Sequence, residues 1–152
     1  MEQLSHSETV TIEASTEAVY DLVSDIARTG QWSPTCVRCE WDDPAETGVG
    51  ATFTGYNETP SRSWQTTSTV IAAERSRRFA WEVGKGYVRW SYDLHPAGDA
   101  TELSETWTFL PAGLTFFGER YGENAAEVID HRRQSAVDDI PRTLATLKQI
   151  AE

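Results

Sequence analysis

Between residues 36 and 109 the chain offers one short extended segment after another, joined by connections too brief to cross a sheet. The segments are TCVRCEW, ATFTGYNE, RSWQTTSTVIAAE, RRFAWEV, YVRWSYDLHP and TELSETWTF. Parallel neighbours need a crossover of about a dozen residues or more. The connections here, DDPAETGVG, TPS, GKG and AGDA, are shorter, and GKG is a Gly-rich hairpin signal. The spacing therefore predicts an antiparallel meander.

Both ends of the chain differ from this middle. HSETVTIEAS alternates through Val10 and Ile12, as a short strand does. In ASTEAVYDLVSDI the period changes: Ser15 or Thr16 can cap a helix whose stripe is Ala18, Val19, Leu22, Val23 and Ile26. RTGQWSP ends it with Gly30 and Pro34. From about Phe116 the composition is helical, with Ala126, Ile129, Arg133, Val137, Ile140, Leu144 and Leu147 tracing an apolar face. Pro141 is expected to kink or restart that helix, with Asp138 and Asp139 helping to cap the new start. The fold class is α+β: a curved antiparallel sheet wrapped around a long C-terminal α-helix, with small helices after the first strand. Residues 1–152 are expected to form one domain.

A sheet of this many strands twists and curls. One helix, about 10 Å across with its side chains, is narrower than such a sheet. A gap between the two is expected, and side-chain parity says what lines it. Phe53, Gly55 and Asn57 share one face with Trp64, Thr66, Ser68 and Val70; with Phe79, Trp81 and Val83; with Val88, Trp90, Tyr92 and Leu94; and with Leu103, Glu105, Trp107 and Phe109. Thr52, Thr54, Gln65, Thr67, Arg78, Glu82, Arg89 and Asp93 form the opposite, solvated face. A mostly apolar surface with a few polar groups has the composition of a small-molecule site. Aromatic rings there also serve simply as core, and Trp41, Phe79 and Phe109, toward strand ends, are assigned to packing.

Glu105 is the exception on the apolar parity of TELSETWTF. A buried carboxylate must be paired, hydrogen-bonded, neutral or wet. It is therefore either a structural partner of Arg132, Arg133, Tyr92 or Trp90, or a cavity acid of raised pKa that orients a ligand or carries a proton. Trp32, Phe116, Phe117 and Tyr121 are candidate entrance residues. The candidate binding set is Trp32, Phe53, Asn57, Trp64, Thr66, Trp81, Trp90, Tyr92, Glu105, Trp107, Phe117 and Tyr121, with Glu105 and Tyr92 the catalytic candidates.

Charge narrows the partners. There are 13 basic and 24 acidic residues, a net charge of −11. Such a surface repels phosphate backbones and anionic headgroups, so neither nucleic acid nor membrane insertion is expected. The N-terminus MEQLSHSETVTIEAS lacks the basic start and apolar run of a signal peptide, so a cytoplasmic location is expected. The expected partner is a small hydrophobic ligand, and a homodimer is left open. No cofactor or metal is expected: Cys36 and Cys39 form a lone C-x-x-C without a second ligand pair. In a regular strand the two thiols point to opposite faces, roughly 10 Å apart at ~3.3 Å per residue. His6 is expected to be frayed, His95 to sit in a turn before Pro96, and His131 to face solvent.

Several runs carry a resemblance to a known family. GATFTGYNETPSRSWQTTSTV, RRFAWEV, YVRWSYDLHPAGDATELSETWTF and RTLATLKQIAE resemble the polyketide cyclase/dehydrase family of the START-like superfamily. The resemblance covers nearly the whole chain and rests on pattern, not on a catalytic signature. It implies the helix-grip fold, a curved sheet gripping a C-terminal helix around a cavity for hydrophobic ligands. Family members include aromatase/cyclases and lipid or hormone binders, so fold alone does not decide function. Three functions follow: a binder of a flat hydrophobic ligand, an aromatase/cyclase performing aldol closure and dehydration, or an interaction module with a filled interior. For the cyclase, Glu105 is the acid or base and Tyr92 and Asn57 orient oxygens. No arginine is read on the inner parity of the central strands to stabilise an enolate.

Overall fold

The computed structural model describes residues 4–152. Seven strands form one antiparallel sheet: β1 (Ser5–Ile12), β2 (Cys36–Trp41), β3 (Thr52–Thr59), β4 (Arg62–Glu74), β5 (Arg78–Val83), β6 (Val88–Ala97) and β7 (Ala100–Phe109). Their order is β1-β7-β6-β5-β4-β3-β2. Strands β2 to β7 are the meander the short turns require, and β1 closes the far side by pairing with β7. Helix α1 (Thr16–Val23) and a 3-10 turn (Ile26–Gln31) follow β1; α2 (Pro111–Tyr121) and α3 (Ala125–Ala151) follow β7.

Local chemistry explains the boundaries. Ser15 caps α1, its Oγ accepting from the Ala18 N–H at 3.2 Å. Pro111 opens α2 at a position where a missing N–H costs nothing. A methyl group on Gly30 would collide with the Val37 carbonyl oxygen, so only glycine lets the 3-10 turn lie against β2. Gly113 meets the Tyr87 carbonyl in the same way and seats α2 on the β5–β6 turn.

Helix α3 packs chiefly against β1 and β7, while α1 covers parts of β5, β6 and β7. Ile12, Val19, Leu103, Ile140 and Leu147 are fully buried between them. The solvated face carries the pairs Arg89–Glu82 at 2.9 Å and Arg78–Asp93 at 3.8 Å, as its parity predicts.

Several expectations are corrected. The terminal helix runs unbroken through Pro141. Asp138 and Asp139 therefore cap nothing: Asp138 accepts from Gln134, and Asp139 turns to Thr35, whose Oγ1 donates at 3.0 Å. The buried stripe of α3 is Ile129, Ala136, Ile140, Thr143, Leu144 and Leu147; Ala126 is exposed, and Arg133 and Val137 are half-buried. The stripe drifts because 3.6 residues per turn carries a long straight helix off any fixed spacing. Helix starts five residues earlier than composition suggested, at Pro111. His6 is not frayed: it lies in β1 and hydrogen-bonds Glu8 at 2.8 Å. His95 is exposed but inside β6.

The two thiols are corrected as well. Cys36 pairs with Asn57, Arg38 with Tyr56 and Cys39 with Gly55, so Val37 is an extra residue in a β-bulge. The bulge resets parity, and both cysteines face the same side. Their thiols share a hydrogen bond.

Candidate functional site

Two rows of side chains cross the inner face of the sheet. Trp81, Trp90 and Trp107 stand opposite one another on β5, β6 and β7. Phe79, Tyr92 and Glu105 form the adjacent row. Register makes these rows, because antiparallel partners point to the same face. The second row is fully buried, with Tyr92 3% and Glu105 5% exposed. In the first row Trp107 is buried, whereas Trp81 and Trp90 are half-buried.

Glu105 is held by Tyr92, whose hydroxyl hydrogen-bonds its carboxyl. The Tyr92 hydroxyl also bonds the side chain of Trp32. Burial above all, then the field of Asp139, pushes the Glu105 carboxyl up to about 8, against the opposing bond from Tyr92. At neutral pH it is a neutral acid. Burial and the neighbouring Glu105 likewise push the Tyr92 hydroxyl well above its ordinary range. One carboxyl oxygen of Glu105, Oε1, is buried and has no hydrogen-bond partner among the described residues. Of the partners weighed for Glu105, Arg133 bonds Asp130 at 2.7 Å. Tyr92 meets the Glu105 carboxyl.

The other candidates are distributed along the same face. Asn57 spans β3 and β4, its Nδ2 donating to Thr66 Oγ1 at 3.3 Å and to the Trp64 carbonyl at 3.4 Å. Phe53 is buried and touches Trp41 and Trp81 edge-on, with centroids 5.6 and 5.9 Å apart. Trp81 also meets Phe79 and Tyr92, each at 5.8 Å. The middle of the inner face is thus a connected set of rings. Trp32 is not an entrance residue: it is 4% exposed, belongs to the core and reaches Tyr92. Phe117 and Tyr121 do lie at an edge, half-buried, with centroids 5.4 Å apart. Phe116 instead stacks on Tyr87 at 4.3 Å.

At that edge the structure brings in Arg62, which the sequence reading missed, and sets Arg132, weighed only as a partner of Glu105, against Trp64 and Phe117. Arg62 opens β4 two residues before Trp64 and so shares its parity; the absence of an inner-face arginine is corrected. Its guanidinium lies 4.0 Å from the Trp64 ring centroid. Arg132 of α3 lies 5.7 Å from the same ring and 5.9 Å from that of Phe117. Extending the parity of RSWQT back two residues would have found Arg62. Nothing local marks Arg132 or Asp139, since the packing of α3 decides which of its residues face the sheet.

Two hollows lie away from this face. One of about 400 Å³ is bounded by Asp21, Leu22, Arg28 and Ile150; the other, about 730 Å³, by Arg75, Arg77, Asp93 and His95. Both are open to solvent and have charged walls, and neither includes Glu105 or the tryptophan row. Among the described residues no cluster of ligating side chains could hold a metal, and no helix is long and apolar enough to cross a membrane.

Comparison with known proteins places this geometry. The solution structure of the Polyketide_cyc-like protein Cgl2372 from Corynebacterium glutamicum is 44% identical, covering 98% of this chain and 91% of that one, with a TM-score of 0.72. The Zhui aromatase/cyclase from Streptomyces sp. R1128 shares the fold at 17% identity, 97% and 92% coverage and a TM-score of 0.66. So does the di-domain ARO/CYC StfQ of the steffimycin biosynthetic pathway, at 14% identity, 97% and 50% coverage and a TM-score of 0.71. No curated protein matches significantly. The sheet gripping its C-terminal helix is the helix-grip arrangement of these neighbours. A family profile matches residues 3–145, and the chain belongs to that family, described as polyketide cyclase/dehydrase and lipid transport.

Proposed function

We propose that the inner face of the sheet, beneath α2 and α3, binds a small, flat, hydrophobic ligand carrying at least one polar group. The observation that carries this reading is the unpartnered Oε1 of Glu105. A buried polar atom without a partner costs about 1–3 kcal/mol, and a ligand hydroxyl reaching it would recover that loss. The family description, the aromatic lining and the half-burial of Trp64, Trp81 and Trp90 support the same reading. Trp81 already touches Phe53, Phe79 and Tyr92, so the ligand inserts beside these rings by small rotations rather than filling a standing chamber.

The test is tryptophan fluorescence against a panel of naphthalene-sized and fatty-acyl ligands. Hydroxylated flat ligands should quench it, and Glu105→Gln should change their affinity about tenfold, the worth of one good buried hydrogen bond. If no member of the panel perturbs the spectrum, the reading falls.

A second reading, aldol cyclisation and dehydration of a poly-β-ketone, is favoured by one observation. The Glu105 carboxyl, at about 8, titrates near neutral pH, where a general acid or base is most effective. In that reading Glu105 carries the proton and Tyr92 orients the reacting oxygen. Turnover of a poly-β-ketone thioester that survives Glu105→Gln undiminished would sink it.

A further inference from the structure

The edge of the inner face carries a concentration of positive charge that the fold does not neutralise. The chain has a net charge of −11, so carboxylates are abundant. Yet among the described residues none lies within ion-pair distance of Arg62, Arg120 or Arg132. Their contacts are with rings instead. Arg62 and Arg132 converge on Trp64, Arg132 also faces Phe117, and Arg120 lies 5.7 Å from the Tyr121 ring. The Tyr121 hydroxyl accepts hydrogen bonds from both Arg120 and Arg132.

Arg62 and Arg120 are exposed, and Arg132 reaches further in. Arg132 is half-buried. Its burial, then the field of Arg62, lowers the guanidinium from its ordinary value. Burial would raise the Tyr121 hydroxyl, but the two arginines pull it below its usual range. The Tyr121 shift reports the positive field of the two arginines, and the Arg132 shift reports burial first and Arg62 second. Two cations facing one indole repel each other, and the ring contacts only partly offset that cost. A partly desolvated guanidinium with free N–H donors is suited to an oxyanion, which it can grip with two parallel hydrogen bonds.

We infer that Arg62 and Arg132 form an oxyanion-binding site at the mouth of the inner face, so that the ligand is an amphiphile with a flat apolar body and a carboxylate or phosphate end. The inference rests on the binding reading above and adds the charge of the ligand to it. The apolar body lies against Trp64 and Phe117, the two rings that Arg132 faces, and the anionic end stays at Arg62 and Arg132, near solvent. A diffuse acidic surface elsewhere keeps other anions away, so the arginine pair is a local attractor in a repulsive field.

The experiment compares 2-naphthoate, 2-naphthyl phosphate and neutral 2-naphthamide by tryptophan quenching. The expected result is that naphthoate binds about tenfold more tightly than naphthamide, an advantage that fades at high salt. Arg132→Gln should cut that advantage to about twofold while leaving naphthamide unchanged. Arg62→Gln, at an exposed position, repeats the test should Arg132→Gln lose its near-UV circular dichroism. Whether phosphate or carboxylate binds better identifies the head group, and either preference over the amide supports the site. Equal affinities for all three probes, or an anion preference that survives both substitutions, overturn the arginine site and leave the binding reading intact. No quenching by any probe removes the binding reading, and the site with it.

Discussion

Tyr92 and Glu105 stand directly opposite each other on β6 and β7, and the hydroxyl of one hydrogen-bonds the carboxyl of the other inside the protein. This pairing puts a proton-bearing group among aromatic rings, with one oxygen left over.

The pair makes stability depend on pH. The folded carboxyl titrates at about 8 and an unfolded one near 4.5. From about pH 4.5 to 8 the folded state therefore holds a proton that the unfolded state has released, and this group's contribution falls as pH rises. Urea unfolding should show wild type losing on the order of a few kcal/mol across that window relative to Glu105→Gln, whose amide cannot ionise. Parallel profiles for the two proteins would refute the raised titration.

Removing the hydroxyl tests the pair from the other side. Tyr92→Phe leaves the Trp32 and Glu105 side chains without this partner, so a loss of about 1–3 kcal/mol is expected in chemical denaturation. The hydrogen bond holds the Glu105 carboxyl down. Its titration should therefore move further up in the variant, measurable by carbon-13 NMR of labelled glutamate.

Tryptophans at different depths should separate binding from folding. Trp107 is 2% exposed, and Trp107→Ala should cost about 3–5 kcal/mol, as large core truncations do. Trp64 is half-buried at the edge. Trp64→Ala should cost far less stability but weaken naphthoate binding severalfold. Equal effects of the two on folding would argue that the edge is as closed as the centre.

Close approach makes Gly30 irreplaceable. Because a methyl there meets the Val37 carbonyl, Gly30→Ala should lower stability by about 1–3 kcal/mol through forced displacement of the β2 bulge. A thermal midpoint unchanged within error would contradict that packing.

The thiols should react unequally. The hydrogen bond from Cys39 lowers the Cys36 thiol, while the same contact together with burial raises Cys39, which is 5% exposed. Iodoacetamide should alkylate Cys36 first and leave Cys39 untouched in the folded protein, as peptide mass mapping will show. Equal labelling would mean the two are not in contact.

How far the site was legible in the sequence depends on the range of the signal. Parity placed Glu105, Tyr92 and the three tryptophans of β5, β6 and β7 on one face, because a strand's two-residue period is a local property. Short connections likewise dictated an antiparallel meander, and one amphipathic tail dictated a long helix beside it. The pairing of β1 with β7, and the side of α3 turned to the sheet, joined segments far apart in the chain. So did the meeting of Arg132 with Trp64 and of Asp139 with Thr35. A single inserted residue, Val37, reversed the parity of Cys36 relative to Cys39 and could be seen only in the pairing with β3. Local periodicity is written in the order of residues. Which distant faces touch is settled by packing, and the proton on Glu105 depends on the burial that packing creates.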